Sequence, residues 1–315
     1  MSKLQIIQEA EIENPVFETN FKKNSQKSAH LYLKAKFERL WLTEPAQFDP
    51  LRNCMEQERI KRSWQLLTTH CQIQDKKVAD IGCGTGYFSF LLHNNAAAQI
   101  DAIDISENAL KILKKQFFSK TIHTFCECMP KTNLSDENYD VIVCLDLIAE
   151  LPTNEYRLFF AELARLIRAD GLLICSSGID INTTEGVEKL LGLAKTEFQI
   201  LEVKKSYHLV YLRLKEFLNI PQFYLNANKN SHSTKQAFQK KTFIGKGWFL
   251  LNTSWIIRGF WKIIAPFFNF FDQKLNHYPR ALHILEKISY FIFEENAVSH
   301  CIFIAKRKRI YEEYL

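Results

Sequence analysis

The feature that most constrains the fold is a regular alternation of short apolar runs and helical patterns between residues 77 and 203. Helical patterns separate most of the runs, which carry β-branched and aromatic side chains typical of buried strands. Strands that alternate with helices in this way predict a parallel sheet covered by helices on both faces. The predicted strands are Lys77–Ile81, Gln99–Ile103, Ile122–Cys126, Tyr139–Leu145, Leu172–Ser176 and Phe198–Val203.

Charge is divided unevenly along the 315 residues of the chain. Residues 1–203 carry 23 basic and 28 acidic side chains, whereas residues 204–315 carry 18 basic and 7 acidic ones. Hydrophobic residues make up 47% of the chain, which excludes a largely disordered protein, and eight cysteines are too few for a disulfide scaffold. The contrast in charge therefore predicts that the two parts meet different partners.

A glycine-rich turn follows the first predicted strand, in the sequence VADIGCGTGY. Gly82, Gly84 and Gly86 let the backbone turn tightly and let a ligand approach it closely. The spacing differs from the G-x-G-x-x-G fingerprint of dinucleotide sites, which would require glycine in place of Tyr87. The carboxylate of Asp80 would repel a pyrophosphate but suits an ammonium group. A ligand with an amino-acid end and a ribose is therefore favoured over NAD.

The stretch VADIGCGTGYFS resembles the first motif of the class I S-adenosylmethionine-dependent methyltransferases. The resemblance continues through AIDIS, which contains Asp104, and through YDVIVC, DLIAEL and LARLIRADGLLICSS. It covers about residues 56–203, and Val298–Ala305 suits the seventh strand of that family. It implies a Rossmann-like seven-stranded α/β sheet, six strands parallel and one antiparallel, with helices on both faces and a helical insertion before the last strand.

The same resemblance implies S-adenosylmethionine as the cofactor. In the family, the glycine loop receives the methionine portion, and an acid at the position of Asp104 accepts hydrogen bonds from the ribose hydroxyls. Trp41, Phe48 and the following Pro–Leu run are similar to the lead-in of quinone-biosynthesis O-methyltransferases, with Arg59 as the arginine that reaches the cofactor carboxylate. The predicted cofactor-binding residues are Arg59, Asp80, Gly82, Cys83, Gly84, Gly86, Asp104, Ile105, Glu127, Cys128 and Asp146.

Two positions depart from the family. Glu127 or Cys128 stands where the family often has the aspartate that contacts adenine, and Glu150 stands where many relatives have a histidine. Methyl transfer needs a general base only when the acceptor is a weak nucleophile such as a hydroxyl. Asp146 and Glu150 are the candidate bases, and His93 and His123 are the alternatives; no catalytic residue is assigned. No metal is expected, because Cys126 and Cys128 lack a second pair at zinc-site spacing.

About 90 residues separate the sixth and seventh predicted strands, which is too long for an unstructured loop and predicts a helical subdomain. Residues 248–271 are mostly apolar, and Ser254, Arg258 and Lys262 form a polar stripe along them. Two interpretations stay open: a lid over the core, or a surface that contacts anionic lipid through residues 226–271. A membrane span is disfavoured by the two central charges, and nucleic acid by the apolar character of residues 248–271.

The sequence thus predicts four regions: an N-terminal approach (1–55), a methyltransferase core (56–205), a basic and aromatic helical insertion (206–296), and the last strand with a basic tail (297–315). The predicted activity is methyl transfer to a small or lipophilic acceptor, quinone-like or lipid-like, with oxygen favoured. The alternatives are methylation of RNA or protein, and a non-catalytic module that binds S-adenosylmethionine. No secretory signal is evident in the first residues, so a cytoplasmic location is expected, with a peripheral position at the inner membrane face as a further option.

Overall fold

Seven strands form one sheet in the order β3-β2-β1-β4-β5-β7-β6. The structure is a computed structural model, and it describes residues 15–43, 48–117, 119–180, 185–226 and 255–308. β7 runs antiparallel to both of its neighbours, β5 and β6, and the other strands run parallel to one another. The strands are β1 Lys77–Ile81, β2 Gln99–Asp104, β3 Ile122–Cys126, β4 Tyr139–Leu145, β5 Ile167–Gly178, β6 Phe198–Ser206 and β7 His300–Arg307. The predicted fold is confirmed.

Helices lie on both faces of the sheet because alternate strand residues point to opposite sides. In β4, Val141 and Val143 join the apolar cluster that contains Leu67 of the helix Cys54–His70. Ile142 and Cys144 join the cluster that contains Phe160 of the helix Tyr156–Leu166. Strands buried on both faces explain the near-continuous apolar runs in the sequence. The helices are α1 Pro15–Thr43, α2 Cys54–His70, α3 Tyr87–Asn94, α4 Glu107–Gln116, α5 Tyr156–Leu166, α6 Gly186–Ala194, α7 Leu209–Leu218, α8 Ile220–Asn226, α9 Trp255–Asn276 and α10 Pro279–Phe293.

The structure differs from the predicted boundaries at several elements. The predicted N-terminal approach contains the long helix α1, which ends at Thr43. β5 begins directly after α5, since residues around Asp170 and Gly171 continue the strand instead of ending the helix in a turn. The last strand begins at His300 and not at Val298, because the preceding Ser299 N–H donates to Ser206 O (2.9 Å) and sets where the antiparallel pairing starts.

The helical insertion between β6 and β7 contains α7, α8, α9 and α10. Arg62 of α2 holds it to the core through Glu286 of α10, with Nη1–Oε1 and Nη2–Oε2 distances of 2.8 and 2.6 Å. Tyr211 of α7 is buried beside Cys54 at the start of α2. The predicted lysine-rich segment, Trp248 and Ser254 lie outside the described residues. Within the described part, no helix is both long enough and apolar enough to cross a membrane.

We expect Arg62→Ala to destabilise the protein by about 3 kcal/mol, because Glu286 is largely buried and would lose the cation that neutralises it. Urea unfolding measured by circular dichroism gives the free energy of unfolding. Arg157→Ala is the control, since Arg157 lies exposed on α5; it should change stability by less than about 0.5 kcal/mol. Equal stabilities of the two variants would show that the Arg62–Glu286 pair does not hold the insertion to the core.

Candidate functional site

A cavity of about 390 Å³ opens at the carboxyl ends of the parallel strands, where β1 and β4 lie side by side. The sheet extends from β1 through β2 to β3 in one direction, and from β1 through β4 to β5 in the opposite direction. Such a reversal of strand order places ligand sites in a crevice outside the strand ends. Its walls come from the loops after β1, β2, β3 and β4, from α2, and from the end of α1.

The glycine loop after β1 forms the floor of this cavity. Gly82 and Gly84 have positive φ angles of 77° and 53°, which residues other than glycine rarely adopt. A Cβ on Gly82 would lie 2.9 Å from the side chain of Leu147, and one on Gly84 would lie 2.8 Å from the ring of Trp41. The backbone of the loop is thus exposed toward the cavity at positions where no side chain fits.

Two buried carboxylates, Asp80 and Asp104, line the cavity beside this loop. Asp104 accepts hydrogen bonds from the backbone N–H groups of Gly84 (2.9 Å) and Ser106 (2.8 Å), and Asp80 accepts one from Ser89 Oγ (2.6 Å). Burial raises the pKa of each carboxyl group to about 6, and the hydrogen bonds offset only part of that effect. A bound cation or hydroxyl donor would therefore favour the ionised form of both.

Arg59 of α2 reaches the same cavity and is anchored by acids on two sides. Its Nε lies 3.1 Å from Glu56 Oε2 and 3.1 Å from Asp146 Oδ2. Its Nη1 atom is buried and has no hydrogen-bond partner among the residues that the structure describes. An unpaired guanidinium N–H inside a cavity is costly unless a ligand accepts from it. The arginine therefore presents a donor to an anionic group in the cavity.

Asp146 follows β4 with a φ angle of 58°, an unusual backbone conformation for a residue other than glycine. His300 of β7 lies 2.5 Å from its Oδ1, and Ser176 Oγ donates to the same oxygen (3.2 Å). Burial alone would raise the pKa of Asp146, but attraction to His300 and Arg59 outweighs it and holds the pKa well below its usual value. Asp146 is therefore an anchor for Arg59 and is poorly suited to take up a proton.

The end of α1 covers the cavity. The rings of Trp41 and Phe48 pack with centroids 5.1 Å apart, and both line the cavity. Glu38 accepts hydrogen bonds at the start of α4 from Ser106 Oγ (3.0 Å) and from the N–H groups of Glu107 (2.7 Å) and Asn108 (3.1 Å). A carboxylate at a helix N-terminus satisfies free backbone donors and complements the helix dipole. This contact holds α1 across the site.

The cavity brings together all but one of the predicted cofactor-binding residues: Arg59, Asp80, Gly82, Cys83, Gly84, Asp104, Ile105, Glu127, Cys128 and Asp146 line it. Gly86 does not; it stands at the start of α3, with φ at 83°. Of the candidate bases, Glu150 also lines the cavity and forms an ion pair with Lys36. His93 and His123 do not line it, and they contact Thr121 and Asp101 instead.

Sequence reasoning missed Glu38 and His300. Glu38 lies in a helix whose contacts are with residues far along the chain, and His300 lies in an otherwise apolar strand; neither belongs to a local motif. Two weak signals were present: a lone polar ring in the predicted strand VSHCIFIA, and an acid ten residues before Phe48. Among the described residues, no group of three or more metal-binding side chains comes together.

Comparison with known proteins finds a similarity over part of the sheet. A family model described as a methyltransferase domain matches residues 78–171. This stretch of the chain is similar to methyltransferase domains. The match agrees with the predicted resemblance to the class I S-adenosylmethionine-dependent methyltransferases on the segment that holds the glycine loop, Asp104 and Asp146.

Curated relatives extend the similarity at low identity. A ubiquinone biosynthesis O-methyltransferase from Azoarcus is 27% identical over 120 residues, which are 36% of this chain and 48% of that protein. One from Burkholderia pseudomallei is 25% identical over 140 residues, 44% of this chain and 57% of that protein. The chain thus spans about half the length of the curated relatives it matches.

Among solved structures, the N-methyltransferase NodS from Bradyrhizobium japonicum, in complex with S-adenosyl-L-homocysteine, is 18% identical with a TM-score of 0.48. The alignment covers 55% of this chain and 89% of NodS. An S-adenosylmethionine-dependent methyltransferase from Mesorhizobium loti is 12% identical with a TM-score of 0.46, over 78% of this chain and 96% of that protein.

We expect Glu38→Ala to loosen α1 from the site, because the variant loses three hydrogen bonds at the start of α4. If the lost contacts stabilise the docked α1 by about 1–2 kcal/mol, trypsin should cleave the variant at Lys34, Lys36 or Arg39 roughly 5–30 times faster than the wild type. Limited proteolysis followed by mass spectrometry measures the rate and the position. Glu188→Ala on the exposed face of α6 is the control and should leave the rate unchanged. An unchanged rate in Glu38→Ala would show that α1 is held by other contacts.

Proposed function

We propose that the protein transfers a methyl group from S-adenosylmethionine to a small or lipophilic acceptor, with oxygen as the favoured acceptor atom. The observation that carries this proposal is the buried, unpaired Nη1 atom of Arg59 beside the glycine loop. An amino-acid carboxylate suits such a donor as its acceptor, since charge-assisted hydrogen bonds from a guanidinium are among the strongest in proteins. S-adenosylmethionine carries that carboxylate at one end and a ribose in its middle.

The cavity offers a partner for each polar part of this cofactor. Arg59 suits the carboxylate, and the buried Asp80 suits the ammonium group that accompanies it. Asp104 retains acceptor capacity for the ribose hydroxyls beyond its two backbone contacts. Glu127 and Cys128 lie in the wall after β3 and are our candidates for the adenine end. The glycine loop allows close backbone approach, because Gly82 and Gly84 leave no room for a Cβ.

The bound cofactor supplies an activated methyl group on a sulfonium, whose sulfur is a good leaving group. The protein's contribution is then to orient the two reactants in line and to exclude water. The cover formed by α1, with Trp41 and Phe48, performs the exclusion. Asp146 anchors Arg59 and does not act as the base. For a hydroxyl acceptor, Glu150 is the candidate base, since it lines the cavity and its ion pair with Lys36 lies at an exposed position.

The acceptor part of the proposal depends on the apolar walls of the cavity. Leu33, Phe37, Phe48, Met129 and Leu151 line it from α1 and from the loops after β3 and β4. Apolar walls with a few polar groups suit a lipophilic molecule with one reacting polar atom. The low-identity similarity to ubiquinone biosynthesis O-methyltransferases supports a quinone-like acceptor methylated on oxygen. Such acceptors reside in membranes, so we also propose that the protein works at a membrane surface.

Asp104→Ala should bind S-adenosylmethionine about 10–100 times more weakly than the wild type, because the ribose hydroxyls lose a charged acceptor. Isothermal titration calorimetry measures the affinity, and Glu188→Ala should bind like the wild type. No binding by the wild type, or unchanged binding by Asp104→Ala, would contradict the cofactor assignment.

Transfer of a labelled methyl group tests the reaction itself. With lipid and quinone extracts, RNA and protein as separate acceptors, we expect label in the lipophilic fraction and a loss of at least about tenfold in Asp104→Ala at limiting cofactor. Label in RNA or protein alone would contradict the acceptor class while leaving the cofactor assignment intact.

The affinity for S-adenosylmethionine should fall as the pH falls through about 6. The pKa values of Asp80 and Asp104 are raised to about 6, so both are ionised above that pH and increasingly protonated below it. At pH 5 each is ionised in only about one molecule in eleven, so affinity should drop about tenfold or more between pH 7.5 and pH 5. Calorimetry across this range gives the profile.

Asp104→Asn should make the profile shallower, because only Asp80 then titrates. Loss of stability does not explain the drop, since acids with raised pKa values make the folded protein more stable as the pH falls from 7 toward 5. An affinity independent of pH between 5 and 7.5 would exclude the ionised carboxylates from cofactor binding.

A further inference from the structure

Two helices of the insertion expose an unusual amount of apolar surface. On α9, five large side chains form one stripe: Phe260, Ile263, Phe267, Phe270 and Phe271, which are 45–79% exposed. Their spacing of three, seven, ten and eleven residues from Phe260 places them on one side of a helix. Contiguous apolar patches of this kind on a protein surface mark sites of interaction.

The opposite side of α9 packs against the rest of the protein. The exposed stripe is therefore not the side by which this helix packs. Ala265 is buried, Trp261 stacks on Tyr224 of α8 with centroids 5.6 Å apart, and Phe268 packs on Phe217 of α7 at 5.5 Å. Arg258 belongs to this inner side, since its Nη2 donates to Leu225 O (2.8 Å). Of the predicted polar stripe, Arg258 is therefore directed at the protein, whereas Lys262 is exposed.

Helix α10 shows the same division. Leu282, Glu286 and Ser289 are buried on its inner side. Ile284, Ile288 and Phe291 recur at helical spacing on its outer side, and Phe291 is 85% exposed. Each of the two helices thus presents an apolar outer face.

The charges on these helices are sorted by side. Both acids face the protein and are paired there, Asp272 with Lys215 (2.6 Å) and Glu286 with Arg62 (2.6 Å). The exposed charges on α9 and α10 are all basic: Lys262, Lys274, Arg280 and Lys287. Exposed acids follow α10 at Glu294 and at Glu295, which pairs with Lys205, and Glu216 on the adjoining α7 is exposed and pairs with Arg213. The sequence of residues 226–247 adds five lysines and no acid.

The combination of exposed apolar and exposed basic side chains favours a lipid surface over a protein partner. Protein interfaces are depleted in lysine, whereas helices that lie in a lipid interface combine aromatic and aliphatic side chains with basic ones. Lys274 illustrates the arrangement, since it rises from within the stripe with its Nζ 5.5 Å from the ring centre of Phe270. Long basic side chains of this kind reach headgroups while their stems lie on apolar surface.

The insertion also emerges at the end of the sheet where the cavity opens. It leaves β6 at Ser206 and returns to β7 at His300, and these two residues pair with each other in the sheet. His300 also pairs with Gly178 at the carboxyl end of β5, so the insertion emerges at the edge where the cavity opens. Helix α2, which carries Arg59, is joined to the insertion through Arg62.

We propose that the apolar outer faces of α9 and α10, with Lys262, Lys274, Arg280 and Lys287, bind the surface of an anionic lipid bilayer. The surface itself depends only on the observations above, but its purpose, delivery of a membrane-resident acceptor, rests on the proposed function. Basic side chains attract the headgroups, and the phenylalanines and isoleucines enter the acyl boundary.

Flotation of the full chain with vesicles tests the proposal. Wild type should bind vesicles of phosphatidylglycerol and phosphatidylcholine at least about fivefold more than vesicles of phosphatidylcholine alone. The triple variant Phe267→Ser, Phe270→Ser, Phe271→Ser should lose binding to the anionic vesicles by at least about tenfold. Lys274→Glu with Lys287→Glu should remove the preference for anionic lipid.

Leu158→Ser is the matched control, since Leu158 is a 56% exposed apolar side chain on α5; it should bind like the wild type. Circular dichroism and cofactor titration without vesicles confirm the fold of each variant and report on the proposed function separately. The proposal is overturned if the wild type binds neither kind of vesicle, or if the triple variant binds as well as the wild type. A self-association of the wild type that the triple variant loses, without vesicle binding, would assign the face to a second copy of the chain.

Discussion

The half-buried pairing of Arg59 with Asp146 is the interaction on which the site depends. It joins α2 to the end of β4, and His300 adds β7 by its contact with the same carboxylate. Breaking such a pair would leave a charge uncompensated in a buried place. Because Asp146 and Glu56 hold Nε and Nη2, the arginine is fixed with its Nη1 atom unpaired beside the glycine loop. The pair thus joins three separate elements at the position where we propose that the cofactor carboxylate binds.

The same elements connect the site to two parts of the chain outside the stretch that matches the methyltransferase family model, namely α1 and the insertion. Helix α1 covers the cavity through Glu38, Trp41 and the helix start at Ser106. Helix α2 carries Arg59 toward the cavity and Arg62 toward Glu286 of the insertion, within one turn of helix. Cofactor position, cover and outer surface are therefore built on one scaffold. In the proposed function, this scaffold brings a lipophilic acceptor from a surface to a water-excluded cavity.

The sheet and most of the cavity could be predicted because they are encoded locally. The strand β1, the turn Gly82–Gly86 and Asp104 follow one another within about 30 residues, and period, glycine spacing and charge all point to the same fold. Glu38 and His300 could not be found, because their roles come from contacts across 68 and 154 residues. Asp146 was predicted as a cofactor contact and candidate base; its paired environment, which no sequence pattern displays, makes it an anchor. The orientation of Arg258 was missed for the same reason.

Binding of S-adenosylmethionine compared with its decarboxylated analogue tests the central claim most directly. If the cofactor carboxylate accepts a hydrogen bond from Arg59 Nη1, the wild type should bind S-adenosylmethionine at least about tenfold more tightly than the analogue. Arg59→Gln should bind the two molecules alike, with an unchanged circular dichroism spectrum. Equal affinity of the wild type for both molecules would contradict the account, because the buried donor would then serve no part of the cofactor.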